Sequence, residues 1–351
     1  RDRLRSRGLG DVYKRQNLNC YYCNPCDNNE HCHALNILSV KEVLCIVRAA
    51  TRLGITHFRL TGGEPLLHPQ IDEMVSQIKK IPGVRSVSLT TNAVQLAQHA
   101  KQLKEAGIDS INVSLDTIDA SEYEHITKKP LLEEVKHGIN AAIECGIRVK
   151  INVVLTPQTD VVALTRYVAK KGTDIRFIEM MPVGEGHTNG VEPYKKVIGT
   201  LSKLYGEPCR INTEKTKEIN SGNDKRKIPD NGPAEYYIFP ELGIRVGLIQ
   251  AIHGKFCDTC NRIRVTADGR LMPCLGSSVT MDLVPDSCEF TDDLEKDFVI
   301  VQALKAAIKA KPGCHNFNDN AVTYTKTTET KTTEIEAAEV NAARNMSRIG
   351  G

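Results

Sequence analysis

Between residues 56 and 181 the chain alternates short apolar runs with longer segments of helical periodicity. The strand-like runs are 56–61, 86–91, 110–115, 148–155 and 174–181, and helical patterns occupy 39–53, 70–81, 95–106, 132–145 and 161–171. Gly54, Gly107, Gly146 and Gly172 stand near helix ends, where a left-handed residue closes the last turn. A β–α unit of roughly thirty residues, repeated, predicts a parallel sheet with right-handed crossovers. Five or six such units are too few to close an eight-stranded barrel, so an α/β fold built on an incomplete parallel barrel is expected.

After Pro193 the regularity weakens. Residues 214–233 are polar, contain Asn-Ser-Gly-Asn-Asp and read as a loop. Residues 244–248 form a candidate strand that leads into a group of cysteines. Residues 323–333 are rich in Thr, Lys and Glu and read as a linker or weak helix.

Composition narrows the function. The 351 residues are 40% hydrophobic and 25% charged, the balance of a soluble globular protein. No run of eighteen apolar residues is present, and the start lacks the apolar core of a secretory signal. A cytoplasmic or organelle-matrix location is expected. The net charge of +3 is concentrated in residues 1–16, which hold six basic and two acidic residues. The remainder is close to neutral and gives no indication of a nucleic-acid face.

Twelve cysteines are the strongest compositional signal, and in a reducing compartment they point away from a disulfide framework. They gather as Cys20, Cys23, Cys26 and Cys32, then Cys257, Cys260 and Cys274. Such grouping suggests metal or iron–sulfur ligation. Cys45 and Cys145 lie in helical patterns and read as small core residues, whereas Cys209, Cys288 and Cys314 show no ligand partners.

Cys20-Tyr-Tyr-Cys23 can turn two thiolates onto one site, a spacing that suits zinc, a redox dithiol or an iron–sulfur cluster. The next strand ends in Thr61-Gly-Gly-Glu64-Pro65, where paired glycines let the backbone approach a ligand. In the second group, Cys257-x₂-Cys260-x₁₃-Cys274 offers three thiolates beside Arg262 and Arg264. Zinc with one ligand unaccounted for, or a cluster with one open iron, both match that set.

Together these motifs resemble the radical S-adenosylmethionine (SAM) superfamily. Its signature is Cys-x₃-Cys-x-aromatic-Cys, onto which Cys20, Tyr22 and Cys23 fall as second cysteine, aromatic residue and third cysteine. The first cysteine belongs at position 16, where this chain has Gln16. A glutamine amide cannot replace a thiolate on a soft iron site. Residues 1–16 are therefore read as a non-native leader, with Cys26 or Cys32 as the rival third ligand.

More narrowly, the chain resembles the GTP 3′,8-cyclase family of molybdenum cofactor biosynthesis. Beyond the cysteine groups, the matching residues are Arg59-Leu-Thr-Gly-Gly-Glu-Pro-Leu, Leu89-Thr-Thr-Asn92, Val113-Ser-Leu-Asp116, Arg176-Phe-Ile-Glu-Met-Met-Pro-Val-Gly184, Lys311-Pro-x-x-His315 and Gly350-Gly351. The resemblance implies two 4Fe–4S clusters, on Cys20 and Cys23 and on Cys257, Cys260 and Cys274, with SAM chelated at the first. It assigns Tyr22, Gly62, Gly63, Glu64, Ser114 and Met181 to SAM, with Glu64 accepting from the SAM amino group. Arg59, Thr90, Lys150, Arg262 and Arg264 fall to GTP, and Arg176, Arg262 and Arg264 are the catalytic candidates. Arg59, Lys150 and Arg176 each interrupt an apolar strand, where a charge requires a partner.

The implied reaction abstracts the 3′ hydrogen of GTP and joins C3′ to guanine C8. The implied partners are GTP, a flavodoxin- or ferredoxin-like electron donor, a downstream cyclic pyranopterin monophosphate synthase and a second copy in a homodimer. The expected divisions are the leader at 1–16, the partial barrel at 17–192, an auxiliary-cluster and GTP region at 193–322, and a linker with the Gly-Gly tail at 323–351. The family's tail enters the active site. Two other readings are a different radical SAM enzyme with an auxiliary cluster, such as a peptide-modifying maturase, and a non-catalytic zinc-binding protein.

Overall fold

The computed structural model describes residues 16–22, 38–182, 190–211, 232–276, 279–283 and 293–315. The leader up to residue 15, Cys23, Cys26, Cys32, most of the 214–233 loop and the 323–351 tail lie outside these residues.

Five strands run parallel in chain order: β1 (His57–Leu60), β2 (Ser86–Thr91), β3 (Ser110–Ser114), β4 (Arg148–Val154) and β5 (Asp174–Ile178). The helices α1 (Val40–Arg52), α2 (Ile71–Lys79), α3 (Leu96–Glu105), α5 (Leu132–Glu144) and α6 (Val161–Lys170) match the five helical patterns. Gly54, Gly107, Gly146 and Gly172 take φ of 80°, 88°, 68° and 62°, the left-handed closure expected of them. α4 (Ala120–Thr127) was not anticipated. Its signal was Asp119-x-x-Glu122: the Asp119 carboxylate accepts from the Glu122 N–H at 2.8 Å and caps the helix.

β8 (Arg245–Ile249) adds a sixth parallel strand against β5, and β7 (Glu235–Ile238) and β6 (Cys209–Arg210) extend the sheet antiparallel. Among the described residues β1 and β6 are its two edges, so the barrel is unclosed there. One sheet thus takes strands from both sides of residue 193.

Alternation along the strands separates the two faces of this sheet. Val87, Leu89, Ile111, Val113, Ile151, Val153, Ile175 and Phe177 are buried in the core shared with the helices. Burying each such side chain contributes on the order of 2 kcal/mol. The intervening positions are polar and in register across the sheet: Thr90 opposite Asn112, Asn112 opposite Lys150, and Asn152 opposite Arg176. They line the inside of the open barrel.

α1 joins the barrel to the C-terminal region. Its Ser39–Glu42 capping box fixes the start, with the Ser39 N–H donating to Glu42 at 2.7 Å. One face of α1 gives Val40, Leu44 and Val47 to the main core. Cys45, Ile46, Ala49 and Ala50 pack instead with Leu271, Leu283, Ile300, Leu304 and Ala307. Those residues belong to a small sheet of β9 (Arg264–Val265), β10 (Arg270–Met272) and β11 (Met281–Asp282), and to the last helix, α8 (Asp293–Lys309), with Leu283 following β11. An Arg52–Asp297 ion pair at 2.9 Å spans the junction. Among the described residues, no helix is long and apolar enough to cross a membrane.

Candidate active site

The carboxyl ends of the strands carry the first group of candidates. Gly62 and Gly63 follow β1, and Gly62 is exposed with φ of 155° and open space where a side chain would begin. Ser114 is exposed at the end of β3, and Met181 is half-buried beyond β5. The segment 16–22 hangs on the last turn of α4, where the N–H groups of Asn19 and Tyr21 donate to the carbonyls of Thr127 and Ile126 at 2.9 and 3.2 Å. Cys20 and Tyr22 are half-buried there, and the Tyr22 hydroxyl donates to Asp116.

Glu64 is only 4% exposed. Its carboxylate accepts from Thr91 Oγ1 at 2.6 Å, the Asn92 N–H at 2.7 Å and the Leu66 N–H at 3.0 Å. Burial pushes its carboxyl above the ordinary value, against the pull of those bonds. Those bonds hold the Gly-Gly turn against the end of β2. Asn92 in turn donates to the Asn17 side chain at 2.7 Å, which ties residue 17 to the same turn.

Inside the barrel, Arg176 is 3% exposed and donates to Asn152 at 2.9 Å and to Asn112. Asn112 donates onward to Thr90 Oγ1 at 3.3 Å. Lys150 is fully buried in the same row. Arg176 fits because β8 carries glycine opposite it: a Cβ on Gly247 would lie 2.8 Å from Arg176 Cγ and 2.9 Å from the Tyr236 ring. Arg59 departs from expectation. It is exposed, and its Nε donates to Ser88 Oγ at 3.2 Å.

The second cysteine group reaches this row through its arginines. Burial, then the guanidinium of Arg264 and also that of Arg176, holds Arg262 below its ordinary value. Arg264 is lowered by burial and by Arg59, against the pull of Cys260 and Cys274. The four arginines therefore share one electrostatic neighbourhood, although they come from β1, β5 and the 260–265 segment. Burial raises the Cys260 thiol, but the Arg262 N–H and the Lys311 ammonium outweigh it and leave a net lowering. Cys257, Cys260 and Cys274 are free and half-buried. Among the described residues, no three Cys, His, Asp or Glu side chains are already gathered as a metal site.

Two supporting residues escaped sequence reasoning. Glu179, just past β5, accepts from the Ile252 N–H at 2.7 Å, the His253 N–H at 3.2 Å and the His253 ring, and so fixes the turn ahead of Cys257. Asp116 receives Tyr22 and the Val154 N–H, the latter at 2.7 Å. Both partnerships join residues far apart in sequence, and only the quoted motifs hinted at them.

Residues 17–163 match the Radical SAM superfamily and residues 173–317 match Molybdenum Cofactor Synthesis C. The GTP 3′,8-cyclase of Clostridium perfringens strain SM101 is 33% identical over 304 residues, covering 86% of this chain and 88% of that protein. The GTP 3′,8-cyclase of Listeria monocytogenes serovar 1/2a is 34% identical over 308 residues, 87% of each chain. The crystal structure of Streptococcus suis SuiB bound to S-adenosylmethionine superposes with a TM-score of 0.54 at 14% identity, covering 92% of this chain and 68% of that one, a likeness of fold. With both domains matched in order and full-length relatives a third identical, the chain belongs to the GTP 3′,8-cyclase family of radical SAM enzymes.

Proposed function

We propose that the arginine-lined mouth of the barrel is where this enzyme, a radical SAM GTP 3′,8-cyclase of molybdenum cofactor synthesis, grips the triphosphate of GTP. The observation that carries the assignment is the shared neighbourhood of Arg59, Arg176, Arg262 and Arg264. Four guanidinium groups drawn together, with Arg59 exposed at the rim, repel one another, and a polyanion offsets that repulsion. Arg176 is braced by Asn112 and Asn152, so it offers a fixed charge. Arg262 also lies over the Phe256 ring at 5.8 Å, which orients its fork. Thr90 and Lys150 lie deeper in the same row and suit the ribose and the inner phosphate oxygens.

The donor set of Cys257, Cys260 and Cys274 fits an auxiliary 4Fe–4S cluster: three free thiols, one of them acidified by Lys311. When bound, such a cluster supplies an open iron that can coordinate the guanine base. The first cluster's set does not fit as it stands, because Gln16 occupies the place of a thiolate. Gly62, Gly63, Ser114 and Met181 at the strand ends suit SAM, and Tyr22 is held toward the same mouth by Asp116. An electron donor of the flavodoxin or ferredoxin kind and a downstream pyranopterin synthase belong to this reading.

The test is anaerobic GTP binding with ATP as control. Arg262→Ala or Arg264→Ala should weaken GTP by about 1.5–3 kcal/mol, the range for a charge-assisted contact, and raising salt should weaken the parent. Equal affinity for GTP and ATP, or two variants that bind like the parent, would count against a guanine-nucleotide site here.

A further inference from the structure

Beyond its pull on the Cys260 thiol, the Lys311-Pro-x-x-His315 segment grips the auxiliary cysteine loop at two points. It begins two residues past the end of α8 (Asp293–Lys309). Lys311 Nζ donates to the Arg262 carbonyl at 2.7 Å and lies 3.3 Å from Cys260 Sγ. At the other end, buried His315 meets the Ala251 carbonyl through Nε2 at 2.6 Å. The two contacts bracket the whole 251–262 loop, which carries Cys257, Cys260 and Arg262. α8 is itself anchored on α1 through Ile300, Leu304 and Ala307. The strap therefore transmits the rigidity of the helix pair to the cysteines.

We infer that Lys311 is a positioning residue for the auxiliary cluster, placing an ammonium on the Cys260 sulfur and raising the cluster's reduction potential. The inference rests on the reading of Cys257, Cys260 and Cys274 as cluster ligands. Its physical ground is general. A cation and hydrogen-bond donor at a ligating sulfur stabilises the more negative, reduced state, and such contacts set potentials across iron–sulfur proteins. The carbonyl of Arg262 fixes where that ammonium sits, so the charge is directed at one ligand and is not averaged over solvent. The Arg262 side chain belongs to the nucleotide site, so the strap also couples the cluster's surroundings to the residue that grips GTP.

The experiment uses the full chain, reconstituted anaerobically with iron and sulfide, and reads two quantities: iron and sulfide content, and the one-electron midpoint followed by electron paramagnetic resonance during a dithionite titration. The parent and Lys311→Arg should hold equal iron and titrate together. Lys311→Met should keep its iron but become at least tenfold harder to reduce, a fall of about 59 mV for one electron. A Met variant with full iron and the parent's midpoint would overturn the inference. If Lys311→Met loses its iron, Lys311→Gln takes its place: it keeps a donor without the charge, and a midpoint equal to the parent's overturns the assignment. A parent without iron would overturn the cluster reading itself, which is a distinct outcome from iron present at an unmoved potential.

Discussion

Tyr22 and Asp116 stand 94 positions apart in the chain, yet the phenol of one donates to the carboxylate of the other. Asp116 follows β3 and also takes the N–H of Val154 at the end of β4, so the cysteine segment is pinned to two strand ends at once. Burial pushes the Asp116 carboxyl from 3.8 up to about 6, although both hydrogen bonds pull it down. A carboxyl raised by folding favours the folded state while protonated, and that gain disappears as pH rises through the folded value. The window is therefore about pH 4 to pH 6. Asp116→Asn has no such titration and can keep both contacts. The parent should gain on this variant by about 1–2 kcal/mol as pH falls across the window, the full shift being discounted for partial exposure. Urea unfolding of both proteins at intervals from pH 4 to pH 7.5 measures it, and parallel curves would exclude a raised Asp116.

Gly247 faces Arg176 with no room for a methyl group. Gly247→Ala should displace the Arg176 stem or the Tyr236 ring and destabilise the fold by about 1–3 kcal/mol, the usual range for overpacking. GTP affinity should fall with it, since Arg176 would lose its alignment on Asn112 and Asn152. Gly199→Ala is the control: it lies in α7 (Gly199–Tyr205) with open space around it, and it should be neutral or slightly stabilising. Denaturant midpoints and GTP titrations of the two variants give the comparison, and equal behaviour would refute the packing argument.

The barrel was legible because its strands and helices announce themselves locally, by apolar period and by glycine at the helix ends. Ile111 and Val113 point to the helices and Asn112 to the lumen, a pattern present in five successive residues. Arg59 is exposed although Phe58 and Leu60 flank it, because apolar neighbours along a strand do not reveal whether the face between them is covered. The Glu64 motif says that the residue matters, and only the fold shows that Thr91 and Asn92 lie against its carboxylate. Glu179 and His253 illustrate the remaining gap: their contact crosses 74 positions and has no periodic signal.

The second cysteine group should assemble a cluster without help from the first. Cys257→Ala, Cys260→Ala and Cys274→Ala should each remove iron–sulfur absorbance worth about one cluster, because each deletes a thiolate from a three-ligand set. Anaerobic iron and sulfide analysis decides the matter. Zinc without sulfide in the parent would favour a structural metal site instead, and unchanged iron in all three variants would refute the ligand assignment.

Gln16 sits half-buried beside Asn17, whose side chain is held by Asn92 against the Gly-Gly turn. On the family signature position 16 is where the first cluster's remaining thiolate belongs, and here it brings an amide. Two thiolates, Cys20 and Cys23, should hold that cluster poorly, so the chain should bind about four irons where a complete family member holds about eight. SAM cleavage should be slow or absent while GTP binding persists, because the arginine site does not depend on residue 16. Gln16→Cys alone should restore little, whereas replacing residues 1–16 with a family-like strand ending in cysteine should raise both the iron content and the release of 5′-deoxyadenosine under dithionite. GTP affinity should stay within about threefold of the parent, less than 1 kcal/mol. Rapid 5′-deoxyadenosine release by the unaltered chain would sink this account and point to Cys26 or Cys32 as the third ligand. The pair Cys26→Ala and Cys32→Ala, assayed side by side, would then show which of the two had taken the place of the missing thiolate.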